Sequence, residues 1–134
     1  MNAIWLDFPV KDLEKSKTFF KAIGFRENTA CKDPNYGSFF IGDDNFVMML
    51  SSHEQFSKYS HNEIPDPGKA NEVLLSLGAG SREEVDEILK KVTTAGGKIY
   101  SEPAEWEGWM YGYGFEDLDG HRWNVLYMES DGPQ

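Results

Sequence analysis

Cysteine is almost absent from this chain of 134 residues, where Cys31 stands alone. A single thiol excludes an internal disulfide framework and fits a reducing compartment. No histidine lies near it in sequence, so Cys31 reads as a small buried hydrophobe and not as a nucleophile. Positive charge is scarce as well. Lys and Arg number 13 against 23 Asp and Glu, giving a formal charge of −10 and a pI near 4.6. Such a surface repels phosphate backbones and anionic bilayers, so neither nucleic acid nor membrane is an expected partner. No apolar run is long enough to span a membrane, and the opening MNAIWLDF lacks the basic and apolar regions of a secretory leader. A cytoplasmic location is the expectation. Low-complexity and disorder signatures are missing too, while hydrophobic residues reach 40% and aromatics 14%. The chain is therefore read as one folded domain, 1–134, large enough to bury a core.

What is present is an order of elements that occurs twice. Ile4 to Val10 alternates as a strand, and Asp12 caps a helix that runs to Gly24 with Leu13, Phe19, Phe20 and Ile23 as its buried stripe. Phe25 to Cys31, Ser38 to Ile41 and Phe46 to Ser51 follow as strands, the last two joined by Gly42-Asp43-Asp44-Asn45. Glu72 to Gly78 then begins the order again. Ser81-Arg82-Glu83-Glu84 fits a capping box, Val85, Ile88, Leu89 and Val92 supply the apolar stripe, and Gly96-Gly97 ends the helix. Lys98 to Glu102, Met110 to Phe115 and Arg122 to Met128 complete the set. The expected architecture is α+β: two βαβββ modules, 1–51 and 71–129, forming a curved mixed sheet. A connector at 52–70 and a short tail at 130–134 complete the chain. Ser52-His53-Glu54-Gln55 opens a short helix in the connector, with Phe56 and Tyr59 beneath it.

Few residues stand out chemically. In FEDLDGHRWNVLYM, residues 115 to 128, strand alternation sets Arg122, Asn124, Leu126 and Met128 on one face and Trp123, Val125 and Tyr127 on the other. A neutral amide thus sits mid-strand on the less apolar face. EWEGWMYGYGF, 105 to 115, places Tyr111, Tyr113 and Phe115 opposite Met110, Gly112 and Gly114, the glycines allowing close approach of another element or a ligand. Rings with polar tips make good pocket walls, and Trp106 and Trp109 flank a loop there. His53 and His61 fall in the polar connector without a neighbouring acid at zinc-site spacing, and His121 is read as structural. Asp7 and Glu72 are the carboxylates best placed for acid–base work, the competing reading being local hydrogen bonding. Glu83, Glu84, Asp86, Glu87, Lys90 and Lys91 form a solvated helix face.

Three stretches, FPVKDLEKSKTFFKAIGF (8 to 25), VLLSLGAGSREEVDEILKKVTTAGGKI (73 to 99) and GFEDLDGHRWNVLYM (114 to 128), together resemble the vicinal oxygen chelate superfamily. This group includes glyoxalases, extradiol dioxygenases, fosfomycin-modifying enzymes and bleomycin-binding proteins. The resemblance implies homodimers, and in the metal enzymes four ligands, typically His or Gln, Glu, His and Glu. Those positions map onto Trp5, Met49 or its neighbour Met48, Glu72 and Asn124. Trp5 cannot ligate, Met49 prefers soft ions and Asn124 offers one neutral carbonyl. No metal or other cofactor is therefore expected.

Three functional readings follow. The first is a metal-free binder of a small organic molecule, its cavity walled by Trp5, Met49, Leu74, Trp109, Tyr111, Tyr113 and Leu126, with Asp7, Glu72 and Asn124 supplying polar contacts. An acidic rim with aromatic walls suits a cationic or amphipathic ligand. The second is a metal-dependent lyase or dioxygenase using Glu72, Asp7 and Asn124. The third is a non-catalytic interaction protein whose cavity is filled by Met48, Met49 and Trp5. Fold alone does not choose among them.

Overall fold

The computed structural model describes residues 1, 3–42 and 46–129. The tight turn expected at 43–45 and the tail at 130–134 lie outside the described residues. Strands and helices gather into two compact units, Met1–Pro65 and Asp66–Gln134. No helix among the described residues is long and apolar enough to cross a membrane.

The first unit runs β1 (Trp5–Val10), α1 (Leu13–Ala22), β2 (Arg26–Glu27), β3 (Tyr36–Ile41), β4 (Phe46–Ser52) and α2 (His53–Ser60). Its sheet has the order β1-β4-β3-β2, with β1 parallel to β4 and the other pairs antiparallel. Asp12 starts α1 as the sequence predicts, its side chain accepting from the Lys15 backbone N–H at 3.1 Å. The glycine at 24 carries the chain out of the helix at φ 111°. Phe19, Phe20 and Ile23 then meet Phe8, Phe39, Met48 and Leu50, all buried. Burying a side chain of this size is worth roughly 1.5–3 kcal/mol. The rings pack edge-on and stacked, Phe19–Phe20 and Phe20–Phe25 both at 5.1 Å.

The second unit repeats the order: β5 (Leu75–Gly78), α3 (Arg82–Ala95), β6 (Lys98–Trp106), β7 (Met110–Glu116) and β8 (Arg122–Met128), with sheet order β5-β8-β7-β6. Ser81 accepts from the Glu84 N–H at 3.1 Å, while the Glu84 carboxylate reaches back to the Gly80 N–H at 2.6 Å, one residue before the donor a capping box would use. Val85 and Val92 of α3 pack on Tyr113, Phe115, Trp123 and Val125. Phe115 and Trp123 lie parallel at 6.2 Å.

The three largest boundary differences from the expectation each have a local reason. β2 stops at Glu27 because the Asn28 side chain takes the Ala30 N–H at 3.2 Å and turns the chain. β5 starts at Leu75, not Glu72, because its first partner is Trp123, just inside the start of β8. β6 extends to Trp106 past Pro103, with register shifts between Ile99 and Ser101 and between Ser101 and Ala104.

The connector is fastened at both ends. Ser52 caps α2, which packs on β1 and β4, although Tyr59 is 68% exposed and not tucked beneath as expected. Further on, the Asp66 turn abuts the turn between β7 and β8. Asn71 Nδ2 donates to the Gly120 carbonyl at 3.2 Å, and Gly120 approaches Gly68 so closely that a Cβ there would lie 2.9 Å from the Gly68 nitrogen. That β7–β8 turn is itself organised by buried Asp117. One of its oxygens accepts the Asp119 and His121 N–H groups, both at 3.0 Å, and the other accepts Trp123 Nε1 at 3.1 Å. Burial pushes the Asp117 carboxyl above its ordinary range, an effect its His121 neighbour and these hydrogen bonds counter.

Candidate functional site

α1 and α3 each cover one face of their sheet, and the opposite faces hold Asp7, Met49, Asn124 and Leu126. In the first sheet that face is built from register rows: Trp5, Val47 and Phe40; then Asp7, Met49 and Ser38; then Pro9, Ser51 and Tyr36. Ser51 Oγ donates to Asp7 Oδ1 at 2.7 Å, which fixes one carboxylate oxygen. Asp7 keeps an exposed side while Ser51 beneath it is wholly buried. This crowding raises the Asp7 pKa by desolvation, and the Ser51 hydrogen bond works against the rise. α2 lies at the Tyr36 end. Tyr36 Oη donates to Gln55 Oε1 at 3.2 Å, and the Tyr36 and Tyr59 rings sit 6.4 Å apart at 47°. Hydrogen bonding with Tyr59, with burial and the charges of Asp33 and Asp7 adding to it, pushes Tyr36 up to about 12.

In the second sheet the corresponding row is Ser76, Asn124 and Gly114. Here the polar groups satisfy one another. Tyr100 Oη donates to Asn124 Oδ1 at 2.9 Å, and Asn124 Nδ2 donates to Ser76 Oγ at 3.4 Å. Tyr100 sits in the bulge of β6, and its ring lies directly over Gly114, where an added Cβ would be 2.3 Å from Cζ. Only glycine allows that approach. Arg122 covers the ring from above, its Cζ 4.2 Å from the centroid, while its Nη2 pairs with Glu116 Oε1 at 3.0 Å.

Of the ten residues expected to line the pocket, Trp5, Asp7 and Met49 lie in the first unit and Glu72, Leu74, Trp109, Tyr111, Tyr113, Asn124 and Leu126 in the second. Asp7 and Met49 are register partners, and Trp5 stands one row away, 68% exposed. Asn124 and Leu126 share the helix-free face of the second sheet. Tyr111 and Tyr113 do not, which corrects the expectation that they wall the same cavity. Antiparallel partners share a face, and Gly112 and Gly114, not the tyrosines, oppose Leu126 and Asn124. Tyr113 is buried under α3, and Tyr111 Oη donates to Asp86 Oδ1 of α3 at 2.7 Å with Arg82 stacked on its ring at 4.9 Å. Trp109 belongs to the β6–β7 turn, where its N–H donates to the Trp106 carbonyl at 3.3 Å. Glu72 and Leu74 are exposed, ahead of β5. Trp5 stands seven residues before the cap Asp12, and the same interval before the cap Ser81 reaches Leu74 and not Glu72. His53 and His61 are exposed, and His121 is buried in the Asp117 turn.

Sequence reasoning missed Tyr100, Ser76 and Ser51. A signal for the first existed: a glycine opposite Asn124 announces a close neighbour, and a tyrosine in the adjoining strand is the natural occupant.

These residues do not fit the hard divalent ion of the metal enzymes. Trp5 and Leu74 offer no donor, Met49 offers a thioether, and Asn124 offers one neutral carbonyl oxygen, which also accepts from Tyr100. Among the described residues, no three His, Cys, Asp or Glu side chains group closely enough to hold a metal.

Two βαβββ modules with this register define a class of protein. The chain belongs to the glyoxalase/bleomycin resistance protein/dioxygenase superfamily, whose family model matches residues 3–125. It is similar to a hypothetical protein of S. aureus, 37% identical, with a TM-score of 0.84 over 95% of this chain and 94% of that one. It shares its fold with the fosfomycin resistance protein of Mesorhizobium loti (16% identity, TM-score 0.68, 97% and 95% of the two chains). A lactoylglutathione lyase of Agrobacterium tumefaciens has the same fold (18%, 0.68, 95% and 94%). No curated protein matches the chain.

Proposed function

We propose that this chain is a metal-independent member of its superfamily that binds a small organic molecule on the aromatic-flanked sheet faces opposite α1 and α3. The observation that carries this reading is the engagement of Asn124. At the position where the family's metal enzymes place their fourth ligand, the amide oxygen receives Tyr100 at 2.9 Å and the amide nitrogen faces Ser76 at 3.4 Å. The oxygen that remains able to ligate is that of a neutral amide oriented by protein hydrogen bonds, a weak ligand for a hard divalent ion where the other positions lack carboxylate and imidazole donors. Trp5 and Met49 make the corresponding positions of the first module apolar, which favours an organic ligand over an ion.

The test is thermal melting of protein purified without chelator. Nickel, zinc, manganese and iron(II) are expected to leave Tm unchanged, whereas members of a small-molecule library raise it by several degrees through preferential binding to the folded state. Stoichiometric metal in the purified protein, or a metal-induced rise lost in Glu72→Ala, would instead support the lyase or dioxygenase reading. A library with no stabilising member would favour the non-catalytic interaction protein.

A further inference from the structure

We infer that the face of the first sheet opposite α1, bounded at one end by α2, is a receptor for an organic monocation, an ammonium carried on an apolar body, with Asp7 as counter-charge and Trp5, Tyr36 and Tyr59 as surrounding rings. The inference rests on the binding reading above and narrows its ligand to one charge class.

Its basis is a carboxylate in an unusual position. Asp7 stands mid-strand among Trp5, Met49 and Pro9, where strand register would accept an apolar side chain, and buried Ser51 stands in the next row of the same face. Ser51 occupies one oxygen at 2.7 Å, which orients the group and leaves the second oxygen to a ligand. Among the described residues no Lys, Arg or His forms an ion pair with Asp7. A cation on this face, Arg26, sits at the far edge of the sheet with its guanidinium 5.1 Å from the Phe40 ring. A partly desolvated carboxylate without a counter-ion attracts a cation from solution.

The rings strengthen the choice. Tyr36 and Tyr59 form a tilted pair with centroids 6.4 Å apart at the α2 end, and Tyr36 is held by Gln55. Trp5 stands at the other end of the face, 68% exposed. Ring faces carry negative potential and favour cations over neutral molecules of the same shape. An anion would meet the charge of Asp7, and Asp33 adds to the negative field felt at Tyr36. Met49, between Asp7 and Ser38, gives the apolar body of the ligand a deformable floor.

Three probes of one skeleton and different charge test this: phenethylammonium, 2-phenylethanol and phenylacetate, each titrated at neutral pH into the full chain labelled with nitrogen-15. The cation is expected to move amide signals of β1, β4 and α2 and the Trp5 indole signal. It should bind at least about tenfold more tightly than the alcohol, and phenylacetate should leave these signals in place. Asp7→Asn, which retains an acceptor for Ser51, should bring the cation down to the affinity of the alcohol. Tyr59→Leu, at an exposed position, should weaken the cation severalfold with the fold intact. Equal binding of the alcohol, preference for phenylacetate, survival of the charge preference in Asp7→Asn, or no response to any probe would overturn the inference. If library compounds of other charge still raise Tm, the binding reading stands without this one. If none does, both fall.

Discussion

The two modules share a blueprint and spend it differently. Asp7, Met49 and Ser38 in the first correspond by register and by distance from the helix cap to Ser76, Asn124 and Gly114 in the second. In the second module the polar groups close on themselves: a tyrosine folds over a glycine to reach the amide, and an arginine stacks on that tyrosine. In the first module the corresponding row stays open, with a carboxylate that among the described residues accepts from Ser51. Backbone topology therefore places a site without determining whether it is filled from within or left for a ligand. One residue with no side chain, Gly114, makes much of the difference.

Making the second module resemble the first should have the largest effect. Gly114→Ser copies Ser38 into the second sheet, and its Cβ would collide with Tyr100, 2.3 Å from Cζ. We expect a loss of about 1–3 kcal/mol in chemical denaturation, the range of overpacked cores, as Tyr100 is driven off the sheet. Tyr100→Phe is the milder break. It keeps the ring over Gly114 and removes the hydroxyl, costing roughly 0.5–1.5 kcal/mol for one hydrogen bond and freeing the Asn124 oxygen. A change on the helix side of the same sheet should run the other way. Among the described residues the buried Tyr113 hydroxyl has no hydrogen-bond partner, so Tyr113→Phe is expected to stabilise by about 1 kcal/mol, again by denaturation.

The smallest effect belongs to Asp7 and reads as a pH dependence. Its folded-state pKa is raised from 3.8, chiefly by burial. The folded state thus holds its proton more tightly than the unfolded chain does. This contribution to stability is complete below the unfolded value and is lost as pH rises through the raised folded value. Asp7→Asn, which does not ionise, should therefore gain Tm relative to the parent as pH rises through that window. The gain should be absent in stronger acid. A constant difference between the two proteins from acid to neutral pH would contradict this account.

Much of the fold was legible because local chemistry announces it. Asp12 and Ser81 cap their helices, Gly24 and Gly96 release them, and the apolar stripe between each pair has helical spacing. What escaped were relations that depend on register. The parity between Tyr113 and Asn124 follows from the pairing of Glu116 with Arg122 across the turn, and reading each strand alone cannot supply it. The contact of Tyr100 with Asn124 depends on a bulge that turns one side chain of β6 over the sheet, and a bulge has no periodic signature. Asp117 was overlooked for the opposite reason. It looks like one more acid in an acidic chain, and only its enclosure by Trp123 and its own turn reveals its role.

The meeting of Gly120 and Gly68 has a genetic consequence. Gly120 is disfavoured for replacement twice, by its φ of 93° and by the Gly68 backbone 2.9 Å from where a Cβ would stand. The second obstacle is backbone, so no smaller side chain at 68 can make room, and the first would persist even if space were found. Suppressor screens begun from a Gly120 variant should therefore yield true revertants at that codon and no compensating change at 68.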